Sequence, residues 1–537
     1  MTKELDYKSA IGAYRIAQPR PMRPETISPA ELLAQFHPDH IAAAHTTLKV
    51  GPNAGDKCQI ELADMLQSNA CISERDLAGA PIHDVDVLVV GGGGAGCAAA
   101  ITVAEAGARV LLLNKLRLGD SNTVMAEGGI QASIEPDDSP QRHFDDTVKG
   151  GHNGAAPELV ATMVKEGPET ISWLIRRGMQ FEQVDETVSS PLATKRAGGT
   201  SAARILFYKD YTGLEMMRVL REAVVLEPSI DIWERSPLVE LLSDGQGNCV
   251  GAVCFSMDRK RYTLIRCGQV ILATGGLGRM HLNGFPTSNH FGSMGDGLVL
   301  AYRMGAKLVD LDTFQYHPTG LAWPRHRLGC LVTEAIRSSG CQLINARGER
   351  FVDELRTRDQ VAAAIIRECQ EGRGVRLDDK TRGVFLDLPT LLQEQPGLID
   401  QYGSLRHLAH KCGIDPFKTP FVIYPTLHYQ NGGVAIDTRC RTNVPGLLCA
   451  GELAGGIHGR NRLMGNALLD IIVFGRRAGA EAAAEVRRGT PARIGIEHVR
   501  AWQRLLAAAD LSLERHSPRL YPQYANYNHR RHGQEVL

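Results

Sequence analysis

The sequence predicts an α/β protein: a doubly wound parallel sheet, interrupted by an inserted α+β segment and closed by a short helical C-terminal segment. Three observations predict it. From Asp84 a short apolar run, DVDVLVV, leads into GGGGAG, then a small-residue helix pattern, CAAAITVAEAG, then a second apolar run, ARVLLLNK. Strand, glycine turn, helix and strand in that order begin a parallel sheet with helical crossovers. A further buried-strand pattern, QVILATGGLG, stands at 269–278, and a third glycine-rich block runs from 447 to 479. Between these, residues 316–426 carry helices of their own and read as an insertion.

At 537 residues the chain exceeds what one simple core holds, so it divides. The expected parts are an N-terminal extension (1–80), the sheet domain in two pieces (84–315 and 427–487), the insertion (316–426) and a C-terminal segment (488–537). The extension opens proline-rich (Pro19, Pro21, Pro24) and continues with helix-like stretches, PAELLAQFHPDHIAAAH and ELADMLQSNACI. It reads as an arm packed on the body or on a partner. The last segment starts with a helix, EHVRAWQRLLAAADLSL, and ends in a polar tail, YPQYANYNHRRHG.

Sixty basic and sixty acidic residues cancel, which excludes a general attraction to nucleic acid or anionic lipid. Attraction for an anion must then come from a local cluster of cations. No two of the twelve cysteines are spaced C-x-x-C, so neither a zinc ribbon nor a ferredoxin-type cluster is expected, and no metal site is assigned. The first residues lack an apolar signal core, and no stretch of 18 apolar residues runs uninterrupted. The expectation is a cytoplasmic protein with reduced thiols, touching a membrane only through a partner.

Gly91, Gly93 and Gly96 form G-x-G-x-x-G directly after a strand and at the start of a helix. The first permits the turn, the second lets a pyrophosphate approach, the third lets helix and strand pack, and the helix N-terminus faces the phosphates. With Gly94 and Ala95 they make a dinucleotide site. The acidic residue that would hold a nicotinamide dinucleotide's ribose some 20 positions on is absent, since the second strand ends at Asn114-Lys115.

The segment that follows, GDSNTVMAEGGI (119–130), resembles the flavin-site segment of the succinate dehydrogenase, fumarate reductase and L-aspartate oxidase flavoproteins. The resemblance continues in order through HFDDTVKGG (143–151), AGGTSAARILFYKDYTG (197–213), ILATGGLGR, Gly295–Gly297, QYHPTG (315–320), LVTEAIR (331–337), RTRDQV (356–361), YPTLHYQNGG (424–433) and GELAGGIHGRNRLMGNALLD (451–470). It covers about three quarters of the chain, residues 84–485. It implies a Rossmann-like FAD-binding domain with an inserted capping domain. FAD would be held by the glycine turn, Asn114, Lys115, Ser121, Asn122, Thr123, Gly128, Gly129, Ala273, Thr274, Gly275, Asp296, Asn466, Ala467 and Leu468, with Glu452 on its ribose.

The same resemblance places a dicarboxylate between His317 and Thr333 of the insertion and His428 and Arg462 of the flavin domain. Arg358 would deliver a proton, with Glu334 and Arg337 as the relay that recharges it. Such a set suits the chemistry: hydride transfer to an olefinic diacid needs cations at both carboxylates and one proton donor opposite the flavin. Arginine alone is too weak an acid for that task, hence the relay.

Departures shape the expectation. Asn122 stands where the family's covalently flavinylated His would be, so FAD should be non-covalent, which favours fumarate reduction or aspartate oxidation over succinate oxidation. Thr200 replaces a His, AWPRHRLGC lengthens the stretch between HPTG and TEAIR, SSG follows Arg337, and the C-terminal part is short. The leading expectation is a fumarate reductase-type flavoprotein fed by an iron–sulfur or other redox partner. An L-aspartate oxidase, and a non-catalytic flavin relay in a larger complex, stay open beside it.

Overall fold

A computed structural model describes residues 4–16, 20–185, 187, 190–486 and 493–519. In chain order, the elements that frame the site are strand β1 (Val87–Val90), helix α1 (Gly94–Glu105), strands β2 (Val110–Leu113), β3 (Ile230–Trp233), β4 (Gln269–Leu272) and β5 (Phe314–Leu321), helix α2 (Arg358–Gln370), strands β6 (Arg382–Leu386), β7 (Phe421–Gln430) and β8 (Leu447–Cys449), and helix α3 (Asn466–Glu485).

The central sheet has the order β3-β2-β1-β4-β8, every pair parallel. β1, β2, β4 and β8 are almost wholly buried, so they read as continuous apolar runs rather than alternating ones. The chain winds outward from β1 through β2 to β3, then returns to the other side as β4. The crevice therefore opens at the carboxyl ends of β1 and β4, the switch point where such sheets bind ligands. Helices α1 and α3 cover one face in close contact: a Cβ on Gly475 or Gly479 would stand 2.5 Å from the carbonyl of Ala95 or Ala99. The small-residue pattern of α1 is thus a helix-packing requirement.

A second, six-stranded sheet contains β5, β7 and β6, with Leu343–Ile344 on β6 and Val375–Arg376 beyond it. Its antiparallel β5–β7 ladder pairs Phe314 with Gln430 and His317 with Thr426, so both limits expected for the insertion, 316 and 426, fall inside strands.

The N-terminal extension is an arm that crosses from one sheet to the other. Leu5–Asp6 adds a parallel edge strand at Val375–Arg376. Helix Pro29–Phe36, closed by a Ser28–Glu31 capping box, packs on α2. Asp39 accepts the Phe314 amide at 2.9 Å, and helix Ile60–Leu66 buries Leu62 and Leu66 in the core of the parallel-sheet lobe. Helix Glu497–Ala508 returns to this arm, Trp502 Nε1 donating to the Ser68 carbonyl at 2.9 Å. The tail YPQYANYNHRRHG, with its tyrosines and histidines, lies outside the described residues. Among the described residues no helix is long and apolar enough to cross a membrane.

Candidate active site at the sheet crevice

The glycine turn after β1 is shaped by contacts that forbid side chains. Gly91 has φ +108°, and a Cβ there would sit 2.3 Å from the Ala273 carbonyl; on Gly96 it would sit 1.7 Å from the Gly91 carbonyl. Gly96 therefore lies beneath the turn, where the third glycine was expected, and does not line the crevice. No side chain caps α1, so the amides of its first turn face the crevice, Gly94 alone donating to Thr123 Oγ1 at 3.2 Å.

From this turn one cavity of about 780 Å³ extends along the sheet end toward the second sheet. Its wall includes Gly91, Gly93, Gly94, Ala95, Asn114, Lys115, Ser121, Asn122, Thr123, Gly128, Gly129, Ala273, Thr274, Gly275, Asp296, Glu452, Ala467 and Leu468. Lys115 Nζ meets Asp296 Oδ2 at 2.6 Å. Asn466 is not in that wall. Its amide is drawn to the other side, to His143 Nε2 at 2.9 Å and Thr147 Oγ1 at 3.0 Å.

At the far end the same cavity reaches His317, Thr333, Glu334, Arg358, His428 and Arg462, which come from β5, the loop after it, α2, β7 and the segment before α3. Arg358 Nε lies 2.7 Å from Glu334 Oε2, and Arg337 NH2 reaches the same oxygen at 3.1 Å. The three form a buried chain, Arg358 at the cavity and Arg337 behind Glu334, out of the wall. Burial raises the Glu334 carboxyl, but Arg358, Arg337 and Arg462 overrule it and hold the group below the ordinary carboxylate value. Burial, reinforced by Arg358, lowers the Arg337 guanidinium. Burial first, and Arg358 next, bring Arg462 down to about 10. Three guanidiniums around one carboxylate leave net positive charge at this end, the local cation cluster that a neutral chain needs to bind an anion.

The two histidines are held neutral. Burial, then Arg358 and His428, push His317 well below its ordinary value; burial, then Arg358 and Arg462, do the same to His428. His317 Nδ1 accepts the Thr319 amide at 3.2 Å, which leaves Nε2 carrying the proton and free to donate into the cavity. The His317 and His428 rings are edge-on at 5.1 Å, and Ser288 Oγ is 2.7 Å from His428 Nδ1.

Sequence reasoning missed four groups here. Gln315 Oε1 accepts from both Arg358 NH1, at 2.8 Å, and Arg462 NH2, at 3.1 Å, and so sets the spacing of the two guanidiniums. The Tyr429 ring lies 4.3 Å from the Arg462 guanidinium carbon. Glu127 and Asp210 also line the cavity; burial and Asp210 raise the Glu127 carboxyl to about 8, against a hydrogen bond from Thr333. All four sit inside motifs already quoted, but a neutral amide and a phenol carry no charge signal, and nothing local marks the two carboxylates as facing the cavity. Thr200 is not part of the wall, its hydroxyl being spent on the Ala197 carbonyl at 2.9 Å.

A family model, the FAD binding domain, matches residues 86–468. The chain belongs to this family. It is 39% identical over 416 residues to a subunit of the fumarate reductase (CoM/CoB) of Methanothermobacter marburgensis, covering 75% of this chain and 73% of that one. It is 37% identical to an L-aspartate oxidase of Streptomyces coelicolor, covering 75% and 69%. Among solved structures, a point mutant of E. coli quinol fumarate reductase FrdA superposes with a TM-score of 0.70 at 30% identity, covering 80% of this chain and 74% of that one. Family membership makes the chain an FAD-dependent oxidoreductase, and the α/β fold class expected from the sequence is the one observed.

The cavity suits the cofactor of this family on its own evidence. The open first-turn amides of α1 face it, the Gly91 turn leaves no room for a Cβ, and the buried Thr274 Oγ1 and Asp296 Oδ1 in its wall have no protein partner. Asn122 is fully engaged: its amide donates to Asn289 Oδ1 at 2.7 Å and Glu452 Oε2 at 3.2 Å, and its oxygen accepts the His290 amide at 2.6 Å. Glu452, expected at a ribose, spends its other oxygen on the Gln430 amide at 3.1 Å.

Proposed function

We propose that this chain is a fumarate reductase-type flavoprotein, exchanging a hydride and a proton with a C4-dicarboxylate and electrons with a redox partner. The observation that carries the reading is the Arg358–Glu334–Arg337 chain at the cavity end where His317, His428 and Arg462 converge. FAD, when bound, supplies the hydride chemistry and sits in the crevice without a covalent bond, Asn122 replacing the residue that would make one. Arg462, buried with an unpartnered Nε, anchors one carboxylate, and Ser288-backed His428 assists it. His317 Nε2–H and Thr333 hold the other. Arg358 then lies on the insertion side and gives its proton to the substrate carbon, Glu334 handing it another from Arg337.

Residues 316–426 act as the cap that excludes water during transfer, because they carry His317, Thr333, Glu334 and Arg358 while the sheet lobe carries the cofactor cradle. Among the described residues no group of cysteines and histidines could hold a metal centre. Relatives named as subunits support electrons arriving from an iron–sulfur or other redox protein.

A second reading, L-aspartate oxidase, is favoured by the long stretch 322–330, whose Leu328, Gly329 and Cys330 line the cavity, and by relatives of that name. One experiment separates the two. Dithionite-reduced protein is mixed with fumarate and flavin reoxidation followed, and the oxidised protein is then mixed with aspartate and with succinate. Reoxidation by fumarate without reduction by aspartate supports the first reading; reduction by aspartate supports the second.

A further inference from the structure

The helix that presents Arg358 is pinned to the opposite lobe by a polar contact at its first turn. Arg358 and Asp359 open α2, and the carboxylate of the buried Asp359 meets His152 Nε2 at 2.6 Å. His152 belongs to the parallel-sheet lobe, in the turn that follows helix Pro140–Gly150. His152 and Asn153 both hold left-handed backbone, φ +55° and +57°, which residues other than glycine seldom keep unless their surroundings enforce it.

The enforcement comes from the Arg462 segment. Arg460 N donates to the Gly151 carbonyl at 3.0 Å, and Asn461 Nδ2 donates to the Gly150 carbonyl at 3.0 Å. Asn461 Oδ1 in turn accepts from Gln315 Nε2 at 3.1 Å, the amide whose oxygen holds Arg358 and Arg462. The turn bearing His152 is therefore built onto the backbone that places Arg462, while its side chain grips the residue next to Arg358.

We propose that His152 is a positioning residue, holding the first turn of α2 against the sheet lobe so that Arg358 stays registered with Arg462 across the dicarboxylate. The inference rests on the reading that Arg358 delivers the proton. His152 is on the lobe opposite the relay and touches neither substrate nor cofactor positions; it acts through Asp359.

The pair is sensitive to pH. Asp359 raises the His152 ring above its ordinary value, against partial burial and the charge of Arg460. The arm presents His37 and His40, whose charges would oppose that of His152, with Asp39, and Lys57 and Asp312 lie around Arg460. The sign follows: a raised histidine keeps the ion pair whole below its unfolded value, and the charge is lost as pH rises through the folded value. Turnover should show an alkaline limb that belongs to His152.

The holoprotein, His152→Gln and Asp359→Asn are compared for fumarate-dependent turnover from about pH 6 to 9, amide hydrogen exchange in the first turns of α2, and titration of the His152 ring by carbon-13 NMR. For His152→Gln, kcat falls about fivefold near neutral pH with KM within about twofold, because a displaced donor costs rate more than binding. The alkaline limb disappears, exchange in α2 accelerates, and Asp359→Asn lowers the His152 ring pKa. Wild-type kcat with the limb intact in His152→Gln would overturn the proposal, as would a loss confined to KM. If no preparation turns over fumarate, the functional reading fails separately, and exchange and ring titration decide the latch: an unmoved ring in Asp359→Asn overturns it.

Discussion

Replacing Arg358 with Gln separates proton delivery from binding. Arg358 is 7% exposed, and the substitution removes the 2.7 Å contact with Glu334 and the 2.8 Å contact with Gln315. Breaking a buried ion pair ordinarily costs about 3–5 kcal/mol, because a charge is stranded. Here Glu334 keeps Arg337 at 3.1 Å, and the new amide can donate to it, so the cost should fall to about 1–3 kcal/mol and the protein should fold with its FAD. The chemical loss is larger. Withdrawing a general acid typically costs about 10²–10⁴ in rate, and no other group at the cavity end stands in the same place, so turnover should drop about 10³-fold, or about 4 kcal/mol of barrier. Viologen-coupled fumarate reduction measures the rate, and perturbation of the oxidised flavin spectrum by malonate measures dicarboxylate binding. Binding should stay within about threefold, since Arg462 and both histidines remain. A variant retaining more than about a tenth of wild-type turnover would refute the donor assignment, and with it the substrate reading.

Arg462→Gln should weaken malonate binding as well as turnover, because its guanidinium makes a ground-state contact; unchanged binding would exclude it as the anchor. FAD should be released by acid precipitation, since the Asn122 amide offers no covalent attachment; a fluorescent band on a denaturing gel would contradict this. Gly96→Ala should cost about 1–3 kcal/mol and reduce the flavin-to-protein absorbance ratio, as its Cβ would press the Gly91 carbonyl that shapes the turn. In a Glu127→Gln variant, which removes a cavity carboxyl lifted into this range, to about 8, dicarboxylate affinity should stay nearly flat from about pH 6.5 to 8 rather than following a histidine titration. His317 and His428 are already neutral there, held down by burial and then by Arg358. A loss of affinity of about tenfold across that window would show that a charged histidine binds the ligand.

What the sequence made legible is what short-range stereochemistry writes into it. The glycine turn follows from Gly91 and Gly96, through the positive φ of the one and the approach of the other to the Gly91 carbonyl, both within a few residues of backbone, and the buried strands follow from unbroken apolar runs. The cationic set was legible through resemblance, because charged residues at distinctive spacings are easily matched. Gln315 was not, although it lies two positions before His317. Its role depends on both hydrogens and the oxygen of one amide being shared among α2, β5 and the Arg462 segment, contacts spanning 43 to 147 positions. Asn466 erred in the opposite way. Its place at the start of α3 suggests the cofactor, but His143, 323 positions earlier, takes the amide.

The arm shows the same limit on a larger scale, and it bears on how the site works. Its composition revealed helices but not where they pack, because its polar partners are hundreds of positions away: Arg20 meets Asp387, and Arg23 meets Glu368. Glu368 is the buried hub where Arg23, Arg373 and Asn345 converge on α2, at the end opposite Arg358. Burial raises its carboxyl, yet Arg373, Arg23 and Asn345 together hold it below the ordinary value, so the charge there is retained by its partners. The arm thus grips the C-terminal half of α2 through Arg23 and packs a helix along its length, while its Asp39 caps the amide of Phe314, next to Gln315. With His152 holding the first turn, α2 is fastened at both ends, one by the arm and one by the sheet lobe. If Arg358 is the proton donor proposed above, that constraint is what it needs, since its guanidinium would have to meet a substrate carbon held by Arg462 on the other lobe.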